Sequence, residues 1–176
     1  MSTIYVDNLQ PNLGSRVMAA GHVVQVVSAT YDTRTEASGA SSGVFSDTGL
    51  QAQITPSSNT SKILIVFNCN GVAARLGSLH QEPDLRLVRD TTELKIYTNI
   101  IFQGGTNVWI PGGGQTAGIG TSYYDTPNST SVITYKIQMR GNTSISGDMR
   151  VAINSSGDGT IQGGGGSSIT LMEIAQ

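Results

Sequence analysis

The chain has 176 residues and a net charge of −2, with only 12% charged residues, about half the share of an ordinary domain. That length fits one domain, or one domain with a short arm. No group of Lys and Arg exceeds two near neighbours, which excludes a phosphate-neutralising surface; the longest aliphatic and aromatic run, Ile63-Leu64-Ile65-Val66-Phe67, is far below the roughly 20 residues of a membrane-spanning helix.

Residues Ser2–Asn8 are β-prone, with Ile4 and Val6 on one face, before Pro11, Asn12 and Gly14 break the pattern. Gly21–Ser28 is β-branched and bounded by glycine. Thr30–Gly43 is rich in Ser, Thr and Gly and reads as a long loop or a polar edge strand. Val44–Ser46 and Gln51–Thr55 read as two short strands, the second ending at Pro56. Lys62–Asn70 follows a turn cluster and reads as a strand buried on both faces, with Cys69 on the face of Phe67, Ile65 and Ile63. Val72, Leu76 and Leu79 are spaced for a helical turn or two over Val72–His80, weakened by Gly77.

Asp84–Arg89 and Glu93–Thr98 flank Asp90-Thr91-Thr92 and read as a hairpin. Asn99–Phe102, Val108–Ile110, Ser122–Asp125, Ser131–Arg140, Met149–Ile153 and Ser168–Ile174 complete about ten short strands. Turn signals separate them, and 20 Ser, 19 Thr and 10 Asn supply their polarity. This spacing predicts an antiparallel sandwich or barrel. No internal repeat and no heptad pattern is present.

Catalytic constellations are missing from the pattern. His22 and His80 are the only histidines, and no Gly-x-Ser-x-Gly elbow exists. Glu82 and Asp84 flank Pro83 and read as surface charge rather than a glycosidase pair. Asn154-Ser155-Ser156-Gly157-Asp158-Gly159 matches a calcium loop in composition only. One cysteine and two histidines cannot make a four-ligand zinc site of the cysteine type, and Cys69 alone excludes an intrachain disulfide. The tracts Gly112-Gly113-Gly114 and Gly163–Gly166 precede no helix carrying Lys-Ser/Thr, so the phosphate-loop reading fails; they read as surface loops or as close backbone approaches near a symmetry axis. The reading is therefore of a non-enzyme with no metal and no cofactor, which contacts neither nucleic acid nor the membrane interior.

Binding candidates are few. Trp109, in Asn107-Val108-Trp109-Ile110-Pro111, is a core plug, an interface anchor or a sugar-stacking platform. Tyr123 and Tyr124 are adjacent, so a strand sends them to opposite faces, one to the core and one outward. Asn107, Tyr31 and Arg34 complete the glycan-contact candidates, on the premise that loops of a rigid sandwich carry binding groups.

Three separated stretches carry a resemblance. Ile54-Thr55-Pro56-Ser57-Ser58-Asn59-Thr60-Ser61-Lys62-Ile63-Leu64-Ile65 resembles a recurring "TPSS-x-x-SKIL" segment of tailed-bacteriophage virion proteins. Gly21-His22-Val23-Val24-Gln25-Val26-Val27 resembles the strand that opens the same domain, and Ser168-Ile169-Thr170-Leu171-Met172-Glu173-Ile174 the one that closes it. Leu87-Val88-Arg89-Asp90 stands where that family has a hairpin. The resemblance covers Gly21–Gln176 and implies a jelly-roll-like β-sandwich over residues 21–176, preceded by a short extended arm over residues 1–20, and a homotrimeric distal tail-fibre or spike domain that attaches to a host-surface glycan. A capsid-decoration or head-fibre protein docked on the shell is the first alternative, and a stand-alone carbohydrate-binding module the second. The family's members carry a long shaft and adaptor, whereas only Met1–Ala20 precedes the domain here. The expectation is that this arm docks on other virion proteins of tail or capsid, with Ile4 and Val6 buried against a partner. No secretory signal is visible, which fits a virion protein assembled in the host cytoplasm.

Overall fold

The computed structural model describes residues 19–37, 44–75, 83–98, 100, 116–141, 150–154 and 166–176. They form an all-β antiparallel sandwich of ten strands: β1 (Val23–Tyr31), β2 (Thr35–Ala37), β3 (Ser46–Ile54), β4 (Lys62–Arg75), β5 (Pro83–Arg89), β6 (Thr92–Tyr97), β7 (Thr116–Asp125), β8 (Ile133–Gly141), β9 (Arg150–Ile153) and β10 (Ser167–Ile174). One sheet, here sheet A, runs β1-β10-β4-β9-β2, with β7 on the other side of β4. The second, sheet B, runs β3-β8-β5-β6.

Period-two alternation decides which side chains meet between the sheets. On β8, Ile133, Tyr135, Ile137 and Met139 are buried while Thr134, Lys136, Gln138 and Arg140 face out. Ile63, Ile65, Phe67 and Cys69 of β4 meet them from sheet A, together with Ile169 and Leu171 of β10. Cys69 lies in this core, where burial pushes its thiol up to about 12, so the sulfur is a packed apolar group rather than a nucleophile.

Several sequence expectations change. Val72–His80 is not helical at its start: β4 continues through Arg75, and residues 76–80 lie outside those described. The helical spacing of Val72 loses to ladder bonds with β7 and β9. The strand turns a corner at Gly71, whose φ of 56° accompanies a register shift between Cys69 and Val72; there its neighbour on one side changes from β10 to β9. Val44–Ser46 and Gln51–Thr55 are not two strands but parts of the region around one, β3. Its middle holds a register shift between Asp47 and Gln51. The buried Thr48 hydroxyl fills that shift, donating to Ile137 O at 2.7 Å and accepting from Leu50 N at 3.1 Å. The Thr30–Gly43 stretch holds the end of β1 and the short β2. The hairpin at Asp90-Thr91 is as expected, with Asp90 in the left-handed region at φ 52°.

Two buried polar clusters brace the fold, the first of them between the layers and the second within sheet A. Asp125 of β7 takes both carboxylate bonds from Arg89 Nη1 (3.0 and 2.8 Å) and one from Tyr135 Oη (2.7 Å). Arg89 and Tyr135 belong to sheet B, so this carboxylate clamps one sheet to the other. Burial, and then the bond to Asp125, push the Tyr135 phenol far above its usual range. Asn154, fully buried at φ 55°, donates to the carbonyls of Tyr31 (2.7 Å) and Thr33 (3.0 Å), while its own Oδ1 accepts from Ser167 Oγ (2.7 Å). Its side chain holds a corner of the backbone, which is a different task from ligating calcium.

Candidate interaction surface

The three stretches that carry the resemblance meet at one carboxylate. Glu173 of β10 points inward, where the alternation of its strand would place an apolar side chain, and it is fully buried. Gln25 Nε2 of β1 donates to Oε2 at 2.6 Å. Ser57 donates twice to Oε1, from its amide at 2.8 Å and its hydroxyl at 2.7 Å. Gln25 Nε2 also reaches Thr55 O at 2.7 Å. Burial pushes the Glu173 carboxyl up, but the hydrogen bonds from Ser61, Ser57 and Gln25 outweigh it and hold the group below the usual carboxylate range. The turn between β3 and β4 is thus pinned against β10 by a charge that has its partners. Sequence reading singled out these stretches as motifs without finding the role of Gln25 or Glu173. The signal was present: an acidic residue at an inward position of an alternating strand requires donors.

That pinned end sets β1, β10, β4 and β7 side by side, and their outward residues fall into transverse rows. Val26, Met172, Leu64 and Tyr124 are successive cross-strand partners. Ser28, Thr170, Val66 and Ser122 form the next row, and Thr30, Ser168, Asn68 and Gly120 the one after. None of these residues is charged. Val26 is 57% exposed, Tyr124 51% and Val66 39%, with Leu64 and Met172 half-buried. β4 is therefore not buried on both faces. Its run Ile63–Phe67 has one face in the core and one apolar face on the surface, whereas antiparallel sheets with one wet face ordinarily alternate apolar with polar.

The outer face of sheet B is built the other way. Lys136 Nζ meets Asp47 at 3.0 Å, Arg86 meets Glu93 at 2.9 Å and Arg140 meets Asp84 at 2.9 Å. Gln138 joins Arg86 and Asp47, and the Phe45 ring lies under the guanidinium groups of Arg86 and Arg140 at 4.1 and 4.5 Å. Burial raises the Asp47 carboxyl, yet its bonds from Gln138 and Lys136 bring it below its usual value.

The sequence-derived contact residues do not come together as one site. Tyr124 stands on the outer face of sheet A, while Tyr123 turns inward and packs against the core. The Tyr31 ring packs over Gly49, whose φ of 93° and lack of a Cβ leave room for it, and its hydroxyl meets Thr35 Oγ1 at 2.7 Å. Arg34 is exposed and pairs with Glu36. Trp109, Asn107, Ile4 and Val6 lie outside the described residues, as does His80. Among the described residues, no three His, Cys, Asp or Glu side chains are grouped to hold a metal, and no helix is long and apolar enough to cross a membrane. What the three rows offer chemically is contact: an apolar row beside hydroxyl-bearing ones, with no acid–base pair in them.

No family model matches the sequence, and no curated protein matches it. Among solved structures, a chain of infectious bursal disease virus, Gx strain, is similar at 13% identity and a TM-score of 0.39, over 97% of this chain and 42% of that one. A chain of the VP2 subviral particle of the same virus is similar at 14% identity and a TM-score of 0.38, over 98% of this chain and 42% of that one. The chain spans about two fifths of the length of these structures' chains.

Proposed function

We propose that this protein is a non-enzymatic virion structural protein of a tailed bacteriophage, forming a short homotrimeric surface appendage that attaches to a host-surface glycan. The observation that carries the reading is the convergence of the three resembling stretches on Glu173, through Gln25, Ser57 and Ser61. Motifs far apart in the chain answer to one physical requirement, which supports reading the three stretches as one structural unit. The uncharged, Ser- and Thr-rich rows of sheet A suit a protein that meets neutral surfaces through hydrogen bonds and apolar contact. Of the aromatic candidates, Tyr31 and Tyr123 are used in packing and Tyr124 stands in the apolar row of sheet A, so Trp109 with Asn107 is the proposed glycan contact. The arm, through Ile4 and Val6, is proposed to dock on the virion by strand addition.

Labelling the protein on purified particles tests the reading. The expected result is label at the distal end of the tail; label spread over the head would replace the appendage by a capsid decoration, and unlabelled particles would end the virion reading. Trp109→Ala in a protein with unchanged thermal unfolding is expected to abolish binding to host cells, and retained binding would remove that residue from the contact.

A further inference from the structure

The rows on sheet A end at strands that also lack charge where it matters. β1 has no charged residue. The one charge of β7, Asp125, is turned inward onto Arg89 and Tyr135. Among the described residues both strands are sheet edges, with ladder partners on one side only. Sheet B protects its edges in the usual manner, with Asp47 on β3 and Glu93 and Lys95 on β6. Exposed apolar area between two uncharged edges marks an interaction surface.

We infer that the outer face of sheet A is the surface through which copies of this chain pack on one another, an inference that rests on the self-assembling reading above and adds where the copies touch. Two arguments select a second copy. The first is width. The Val26–Met172–Leu64–Tyr124 row crosses four strands, about 14 Å at the usual interstrand spacing. A single added strand beside β1 covers the Val26 end and leaves Leu64, Val66 and Tyr124 in water. A stable contact also needs roughly 800 Å² per partner, which takes a folded surface rather than one strand. The second argument is charge. The three rows carry none, and Lys62 stands one outward position beyond the first of them, so the rows meet their own copy without like-charge repulsion and without leaving an ion unpaired. Strand direction is compatible as well. β1, β10, β4 and β7 are successively antiparallel, so rotation about an axis along the strands brings one copy's β1 antiparallel to the next copy's β7, the relation that a cyclic assembly needs.

The test is light scattering of the full chain at micromolar concentration, where one copy weighs 18.4 kDa. Wild type is expected as a multimer. Val66→Lys with Tyr124→Glu is expected to weaken association by roughly 100-fold, because both charges would have to be desolvated in the contact. The milder pair Val66→Thr with Tyr124→Ser is expected to weaken it as well, with circular dichroism unchanged. Gln51→Lys on the outer face of sheet B is expected to leave it intact. Multimers that persist in both face variants overturn the proposal while leaving the virion reading standing. So does dissociation by Gln51→Lys, or dissociation by Ile4→Asp with Val6→Asp alone, which would make the arm the holding element. A monomeric wild type that still labels particles overturns self-association together with this surface, and not the virion location.

Discussion

The two sheets share a core but solve the problem of their outer faces in opposite ways. Sheet B covers itself with ions, each tied to a neighbour: Asp47 with Lys136, Arg86 with Glu93, Arg140 with Asp84, and Phe45 roofed by two guanidinium groups. Sheet A has no ion in its three central rows, and two of its carboxylates are turned inward, Glu173 onto Ser57 and Gln25, Asp125 onto Arg89 and Tyr135. The difference teaches where polar groups do structural work in this fold. In sheet A they act from inside, bracing the sheet while leaving its surface neutral. In sheet B most of them act at the surface, where water competes for their bonds, although the Asp84 carboxylate that Arg140 meets is itself buried.

If that contrast is right, removing an inward charge of sheet A costs much more than removing an outward one of sheet B. Asp125→Ala is expected to lower the unfolding free energy by about 3 kcal/mol, since it strands Arg89 and the Tyr135 hydroxyl between the sheets. Urea denaturation measures it, and a loss no larger than that of a surface ion would break the contrast.

Glu173→Gln is expected to cost about 2 kcal/mol at neutral pH, because an amide accepts fewer bonds from Ser57, Ser61 and Gln25. Its pH dependence sharpens the point. The folded carboxyl titrates below its unfolded value, so its contribution is present above about pH 4.5 and is lost as pH falls through the folded value. Thermal melts should show wild type losing stability on acidification in that window and the Gln variant losing less. Parallel curves would show that the carboxylate charge is not what pins the turn.

Arg86→Ala should cost less than about 1 kcal/mol in spite of its bonds to Glu93 and Gln138, because its side chain is partly exposed. Salt should reduce even that. Smallest of all, Val66→Thr with Tyr124→Ser should change the unfolding free energy of the dissociated protein by no more than about 0.5 kcal/mol, since neither side chain supports the core. Calorimetry at dilutions that keep copies apart would read it, and a large loss would make the outer rows part of the fold.

The legible part of this molecule was the part governed by alternation. Ser131–Arg140, Ser168–Ile174 and the Asp90-Thr91 hairpin follow from period two and turn chemistry, and they appear as β8, β10 and the β5–β6 turn. Val72 misled because three aliphatic residues at helical spacing also fit a strand that changes neighbours, and only the positions of β9 and β7 decide between the two. β3 read as two strands because its centre, Thr48-Gly49, is held by a side-chain hydroxyl and a packed tyrosine ring from β1. Those bonds come from residues about 90 and 20 positions away, beyond any local pattern. The candidate surface was half legible. Ile63–Phe67 announced an apolar strand, but whether its second face meets protein or water depends on what the sheet lies against.

The place of β10 has a bearing on when the protein acquires its shape. It is the last of the ten strands to be synthesised, yet in sheet A it lies between β1, the first, and β4. Until β10 leaves the ribosome, β1 has no neighbour in the sheet, and the turn at Ser57 has no Glu173 to hold it. The nascent chain therefore carries the uncharged, β-branched β1 without a ladder partner until β10 is made, a condition that favours contact between neighbouring chains on one polysome. A sandwich that closes by inserting the last of its described strands postpones its folding until β10 has been made, and any product terminated before β10 carries an open sheet for proteases to find.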